Sequence, residues 1–429
     1  MQEVYYKFMN LKQKIAANTI FQLIGKIISA TSTFIITILL AKKFGPEGFG
    51  DFEKILSFVS IFYLIVDFGL NAFAISEIKK SKEQKENLYG VVLGTRIILG
   101  IVLIFVCLSL LSFLPHSSTQ GFTPFVRLGI ILASLTILLQ GLTITNNLLF
   151  QENLRYDKAI IASSFGYILF LLLTLIVVFC NLSLIFAVVS YVLFFVFYSF
   201  ISFLLAKTEI KIIKPKFDKL EIIKLLKRSF PLGITLVFNV FYFRGDIIIL
   251  SILKPTDQVA YYGLAYRFFE FALVFPTFFM NALYPSLIEI KKENIQKMKS
   301  IIFLSIGFLG GTGIMVAVFM FFLAPWLISL TNQSFSDSIV ALRILVLSLP
   351  VFYLTSLFMW ILVTEEKQKT LAVIYGGSMV VNLTLNFIFI PAYGYIASAT
   401  ITGLTEMLVL ICTFFVVWKK TNVLNNKYV

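Results

Sequence analysis

The feature that most constrains this chain is a recurrence of long apolar runs, each about the length of a bilayer crossing, along all 429 residues. A spanning helix needs roughly 20 mostly apolar residues. Such spans are predicted near 17–41, 53–77, 88–113, 124–150, 159–180 and 182–206, and again near 229–253, 258–285, 300–330, 338–363, 370–391 and 394–418. No water-soluble core of this length hides them. Hydrophobic residues make up 59% of the chain and charged residues 14%, whereas soluble chains carry about a quarter charged. The fold class that follows is all-α integral membrane, with about 12 transmembrane helices.

Charge placement sets the expected orientation. The net charge of +14 could signal nucleic acid, but lysine and arginine sit between the apolar runs, so no nucleic-acid partner is expected. With the N-terminus cytoplasmic, segments 78–87, 151–158, 207–228, 286–299 and 364–369 and both tails face inward. Together they hold 26 of the 36 Lys and Arg, while the outward loops carry chiefly Lys42, Lys43 and Lys254. That asymmetry is the positive-inside pattern. Met1 to Lys14 is polar and basic, and reads as a cytoplasmic tail rather than a cleavable leader.

The longest inward segment, Thr208 to Arg228, interleaves Lys211, Lys214, Lys216, Lys219, Lys224, Lys227 and Arg228 with Phe217, Leu220, Ile223 and Leu226. It reads as a basic amphipathic helix at the membrane surface. It divides the chain into a six-helix lobe (1–206), a cytoplasmic linker (207–228) and a second six-helix lobe with a short tail (229–429). Six is even, so both lobes share one orientation, as parallel repeats do. Leu39–Phe52 (LLAKKFGPEGFGDF) can be laid without a gap on Ile249–Tyr262 (ILSILKPTDQVAYY).

The informative residues are those that do not belong in lipid. A charge at mid-membrane costs at least about 2.5–3.5 kcal/mol, yet the spans contain Lys26, Asp67, Arg96, Arg244, Asp246, Arg267, Glu270 and Glu406. Arg127 and Arg343 lie nearer the outer interface, where their stems can snorkel. Polar residues accompany the charges at helical spacing: Asn18, Gln22 and Lys26 on the first helix, Asn239, Tyr242 and Asp246 on the seventh, Tyr262, Tyr266 and Glu270 on the eighth, Asn382 and Asn386 on the eleventh. Any one polar stripe is more often glue between helices than a site. The charges taken together, in six helices, favour a cavity. Lys26, Arg96, Arg244 and Arg267 are the candidates for binding an anion, and a guanidinium fork matches a diphosphate. Asp67, Asp246, Glu270 and Glu406 either pair with those cations or take up a coupling proton or sodium ion. No catalytic residue, metal site or tightly held cofactor is expected. Cys107, Cys180 and Cys412 lie in apolar runs, and His116 is the single histidine.

Several stretches resemble a known family: Ala41–Phe52 (AKKFGPEGFGDF), Asp67-Phe68-Gly69-Leu70, Gly245–Leu250 (GDIIIL), Ala260–Tyr266 (AYYGLAY) and Asn382–Thr402 (NLTLNFIFIPAYGYIASATIT). In this order they are similar to polysaccharide-type flippases, the O-antigen and capsule repeat-unit exporters of the multidrug/oligosaccharidyl-lipid/polysaccharide (MATE-like) superfamily. Ala397-Ser398 departs from the usual Gly-Ala. The resemblance implies two six-helix lobes around a cationic cavity. It also implies export of undecaprenyl-diphosphate-linked oligosaccharide from inner to outer leaflet by alternating access, in the bacterial cytoplasmic membrane. It singles out Arg244 and Asp246. The expected partners are the lipid-linked oligosaccharide and membrane lipids, with a monomer as the working unit and glycan-assembly proteins as possible associates.

Three rivals are weaker. A drug/cation antiporter carries cationic cargo, which fits the cavity cations poorly. A peptidoglycan-precursor flippase usually has two further helices. A membrane-embedded glycan polymerase or ligase typically carries a large outer loop with catalytic residues, and every outer loop here is short.

Overall fold

A computed structural model of the chain describes residues 11–80, 85–115, 121–210, 214–293 and 295–420. His116 and Lys211 lie outside the described residues. The helices in order are α1 (Leu11–Ile65), α2 (Leu70–Lys80), α3 (Lys85–Leu111), α4 (Pro124–Ala133), α5 (Leu135–Glu152), α6 (Tyr156–Phe179), α7 (Leu184–Ala206) and α8 (Lys219–Leu253). There follow α9 (Thr256–Ala272), α10 (Val274–Glu293), α11 (Ile295–Ser329), α12 (Ser338–Leu347), α13 (Leu349–Thr364), α14 (Gln368–Tyr393) and α15 (Tyr395–Lys420). No β-strand occurs among the described residues.

At 55 residues, α1 would reach ~80 Å if straight, against a hydrocarbon core of ~30 Å. It is two legs. Gly45 has φ 64° and ψ −172°, a conformation an L side chain resists, and Pro46 restarts the helix. Among the described residues, ten helical stretches are long and apolar enough to cross a membrane, and α12 with α13, bent by 43°, makes an eleventh. The first of the ten, Ala17–Ile78 at 62 residues, contains both legs of α1, so the two legs raise the number of crossings to the twelve that the apolar runs predict.

Two compact units form. Unit 1 takes the described residues of Met1–Leu40, Ile55–His116 and Phe122–Val240; unit 2 takes those of Ala41–Lys54, Ser117–Gly121 and Phe241–Val429. In unit 1, α3 packs on α5, and α7 on both α5 and α6. Its core gathers Leu70, Ala74, Tyr89, Val92, Leu149, Phe150 and Ile210. Ile222 and Leu225 of α8 join that core, while Leu220 on the same helix is 80% exposed. The face that packs is Ile222 and Leu225, not the interleaved Phe217, Leu220 and Ile223 of the sequence pattern, which are exposed. The basic segment is not a separate surface helix either: Lys219 to Leu253 runs as one helix, with Pro231 inside it. The span predicted at 53–77 is also interrupted. Helix α1 ends at Ile65, Phe68 and Gly69 take φ of 43° and 67°, and α2 begins at Leu70.

In unit 2, α15 packs on α13 and α14, α11 on α12 and α13, and α12 on α9. The corner of α1 packs here too: a Cβ on Gly50 would stand 2.3 Å from the Thr256 carbonyl oxygen. Laying Leu39–Phe52 on Ile249–Tyr262 puts Gly45 on Pro255, and the breaks α1 leg to leg and α8 to α9 fall at matching places. The outer face of α11 shows Leu304, Met315, Phe319, Phe322 and Trp326, all more than half exposed, which only lipid solvates well.

Candidate functional site

Four ionised side chains form an alternating chain in unit 2. The Arg267 guanidinium grips Glu53 as a fork, Nε to Oε1 at 2.9 Å and Nη2 to Oε2 at 3.0 Å. Its Nη1 also stands 3.7 Å from Glu270, one helical turn away on α9. Glu270 in turn accepts a hydrogen bond from Arg244 Nη2 at 3.0 Å, and the Arg244 guanidinium lies 5.8 Å above the Tyr266 ring. The placement follows from local sequence. On α9, Arg267 and Glu270 share a face by their i, i+3 spacing. Gly263, one turn earlier, leaves room for the Glu53 stem, which a Cβ there would approach to 3.1 Å. A small crevice is lined by Glu53, Arg244, Asp246, Tyr262, Tyr266 and Arg267, among others.

The burial of the four is uneven. The Glu53 side chain is 3% exposed and that of Glu270 is 34% exposed, with Arg244 and Arg267 near 20%. Two positive and two negative charges balance. The sequence alone counts arginines and expects a positive site; the structure pairs each arginine with a carboxylate. Any anion that uses the guanidinium forks must take a carboxylate's place, and Glu270 is the accessible one.

Beside the chain lie two acids whose hydrogen bonds come from neutral groups, although the Arg244 charge also acts on Asp246. Asp246 accepts hydrogen bonds from the Tyr262 hydroxyl, from Thr402 Oγ1 at 3.3 Å and from the Ile247 amide at 2.7 Å. Glu406 accepts one from the Tyr242 hydroxyl at 2.7 Å. Both acids are 2% exposed. Asn382 donates to Thr405 at 3.0 Å, and Asn386 donates back to Asn382. These asparagines are buried between α14 and α15, so they join helices rather than line an open cavity.

Unit 1 holds the remaining candidates. Lys26 is exposed, on the first leg of α1, with Gln22 half-buried one turn before it. Asn239 is half-buried on α8. Arg96 is fully buried and donates to Asp67 Oδ1 at 2.9 Å, to Asn71 Oδ1 at 2.8 Å and to Thr145 Oγ1 at 3.2 Å. Arg96 of α3 therefore pairs with Asp67 in the break between α1 and α2 and bonds Asn71 at the start of α2. Asn18, also expected in a cavity, is 4% exposed; it donates to Leu154 O at 2.6 Å and accepts from the Tyr156 amide at 3.1 Å. It clamps the turn where Leu154 has φ 55°. Arg127 and Arg343 bond main-chain carbonyls, Phe122 and Leu114 for the one and Phe321 for the other.

Sequence reasoning missed Glu53 and Lys54. They fall at the edge of the predicted second span, where a charge looks like an interfacial residue. Lys54 is fully buried, and its ammonium donates to Gly121 O at 2.9 Å and to Thr256 Oγ1. The available signal was the repeat alignment, which sets this corner against the start of α9.

The chain matches the family described as polysaccharide biosynthesis protein over residues 15–291, and the MatE family over residues 231–388. No curated protein matches its sequence significantly. Among solved structures it is similar to the lipid II flippase MurJ in an inward closed conformation, with 18% identity over 93% of this chain and 87% of that one and a TM-score of 0.74. An inward-facing multidrug resistance MATE family transporter of the MOP superfamily matches at 16% identity, over 90% of this chain and 92% of that one, with a TM-score of 0.73. A MOP superfamily transporter from Pyrococcus furiosus, whose binding pocket is described as of reverse polarity, matches at 15% identity and a TM-score of 0.63, over 94% of each chain. A multi-pass helical chain with this fold, matched over residues 15–291, belongs to the polysaccharide biosynthesis protein family and has the MATE-like fold of MOP-superfamily transporters and flippases.

Proposed function

We propose that the protein flips an undecaprenyl-diphosphate-linked oligosaccharide repeat unit, of the O-antigen or capsule type, from the inner to the outer leaflet of a bacterial cytoplasmic membrane. Both termini then face the cytoplasm. The observation that carries this reading is the pair Arg244 and Arg267 on the crevice, bridged by the half-buried Glu270. Two guanidinium groups at one site, Arg244 and the Nη1 side of Arg267 that faces Glu270, suit two linked phosphates better than a cationic drug. The diphosphate displaces Glu270 from both arginines, the lipid tail stays in the bilayer, and the lobes alternate access around the head. With Glu270 swung aside, the anionic head crosses partly compensated. Any uncompensated negative charge gains about 2.3 kcal/mol per 100 mV on leaving an inside-negative cell.

The test is transfer of a fluorescent lipid-linked oligosaccharide in reconstituted vesicles. Glu270→Gln removes the competing carboxylate, so half-saturation is expected at about tenfold lower substrate, one charge-assisted hydrogen bond being worth roughly 1.5–3 kcal/mol. Weaker binding in Glu270→Gln would end the displacement idea. No transfer by the unaltered protein would end the functional reading itself.

The same reading assigns Asp246 and Glu406 to coupling with a proton or sodium gradient. A buried carboxylate bonded only to neutral groups is stable in a membrane when a proton or a small cation neutralises it. Vesicles with an imposed proton or sodium gradient distinguish the two ions. Gradient-driven transfer is expected to be lost in Asp246→Asn while downhill transfer persists. Insensitivity of the unaltered protein to both gradients would remove the coupling role.

A further inference from the structure

Unit 1 contains a cavity of about 390 Å3 that the transport chemistry does not use. It lies among α3, α5 and α7, at the end of those helices that carries the basic linker. Leu93, Leu142, Val196, Phe200 and Phe203 form much of its wall, and Pro215 of the linker closes one side. Three polar side chains, Tyr89, Asn146 and Ser199, reach its lining, and Tyr89 donates to Asn146 Oδ1 at 2.7 Å. The other eight lining residues are apolar, so the interior suits an apolar occupant. The volume is in the ~300–1,000 Å3 range of small-molecule sites. Phe200 is 56% exposed, so the cavity opens on the lipid-facing surface of α7 rather than being sealed.

The rim has the opposite character. The Lys207 ammonium sits 4.7 Å above the ring of Phe203, itself a wall residue. Lys214 and Lys216 flank Pro215, and both are exposed. The linker is held in place: the Lys216 amide donates to Gly90 O at 2.9 Å, and a Cβ on Gly94 would fall 2.1 Å from Lys216 O. Glycines at 90 and 94 let the segment around Lys216 lie flat on α3, which holds the lysines near the mouth. The Lys216 ammonium also reaches Asn87 Oδ1. An apolar chamber with Lys207, Lys214 and Lys216 beside its mouth matches one kind of molecule.

We propose that this cavity holds an acyl chain of an anionic phospholipid from the leaflet beside the linker, with the lipid phosphate held by Lys207, Lys214 and Lys216. The lipid fills the groove between α3 and α7 and ties the linker to unit 1.

The full-length chain tests this with Trp326, Trp360 and Trp418 replaced by Phe and Phe200→Trp installed as the one reporter. It is placed in phosphatidylcholine vesicles containing either phosphatidylglycerol or phosphatidylcholine with brominated chains, which quench a nearby indole. Brominated phosphatidylglycerol is expected to quench at a mole fraction on the order of tenfold lower. Lys207→Glu, Lys214→Glu and Lys216→Glu together should abolish that preference. These side chains are exposed, so the fold survives, and mass spectrometry of lipid co-purified with the unaltered chain gives a second reading. Equal quenching by the two lipids, or a preference that survives the charge reversal, overturns the proposal. Displacement of brominated phosphatidylglycerol by trace polyprenyl phosphate also overturns it, and gives the cavity to the carrier lipid instead.

Discussion

Replacing Arg244 and Arg267 together with alanine is expected to lower oligosaccharide flipping by at least about a hundredfold. Each guanidinium would offer the diphosphate a charge-assisted hydrogen bond, and such bonds contribute roughly 1.5–3 kcal/mol apiece, so the loss of two spans about two to four orders of magnitude. The double variant also strands Glu53, whose side chain is 3% exposed and whose one strong partner is Arg267. An unpaired buried carboxylate destabilises by several kcal/mol. A second variant separates the two effects: adding Glu53→Gln and Glu270→Gln to the arginine pair removes every charge of the chain at once. That quadruple variant should insert and unfold like the parent, yet still fail to flip. Arg244→Lys with Arg267→Lys keeps the charges and loses the forks, and an intermediate rate is expected. Normal flipping by the folded quadruple variant would show that these arginines do not hold the cargo.

Much of the fold was legible because hydropathy and positive charge act on whole segments. The twelve apolar runs recur as crossings, and the alignment of Leu39–Phe52 with Ile249–Tyr262 locates two real corners. The pairings were less legible. Spacing shows that Arg267 and Glu270 share a face of α9, and it shows nothing of Glu53, which arrives from 214 residues away. Sign was misread for the same reason: Arg244 and Arg267 look like a positive site until their carboxylates are placed. The break at Asp67 was hidden by continuity, since the run from 53 to 77 has the apolar length of one straight helix. Asn18 and Lys26 sit on one stripe, yet Asn18 is buried on a turn and Lys26 is exposed. Two helical turns suffice to take a stripe from a turn clamp to an exposed face, so periodicity alone does not assign a cavity.

The largest stability effect is expected at Arg96, and its two partners should respond unequally. Asp67→Ala leaves a guanidinium with no exposed surface facing only neutral acceptors: Asn71, Thr145 and the main-chain oxygen of residue 67. Breaking a buried pair in this way destabilises by about 3–5 kcal/mol. Arg96→Met leaves the Asp67 carboxylate instead, and that side chain is 36% exposed at the break between α1 and α2. It is far less enclosed than the Arg96 guanidinium, so the loss should be clearly smaller, about 1–3 kcal/mol from the hydrogen bonds given up. The double variant Asp67→Ala, Arg96→Met removes both charges and should recover most of the stability lost in Asp67→Ala, because a well-packed apolar replacement of an ion pair is often neutral. Denaturant unfolding in detergent measures all three, and flipping is assayed beside it. If the pair only closes the broken helix, transfer rates should follow stability across the set. If Arg96→Met instead stops flipping while the protein unfolds like its parent, Arg96 acts on the cargo, the role its position in an apolar span suggests, and the buried geometry is one state of a residue that moves.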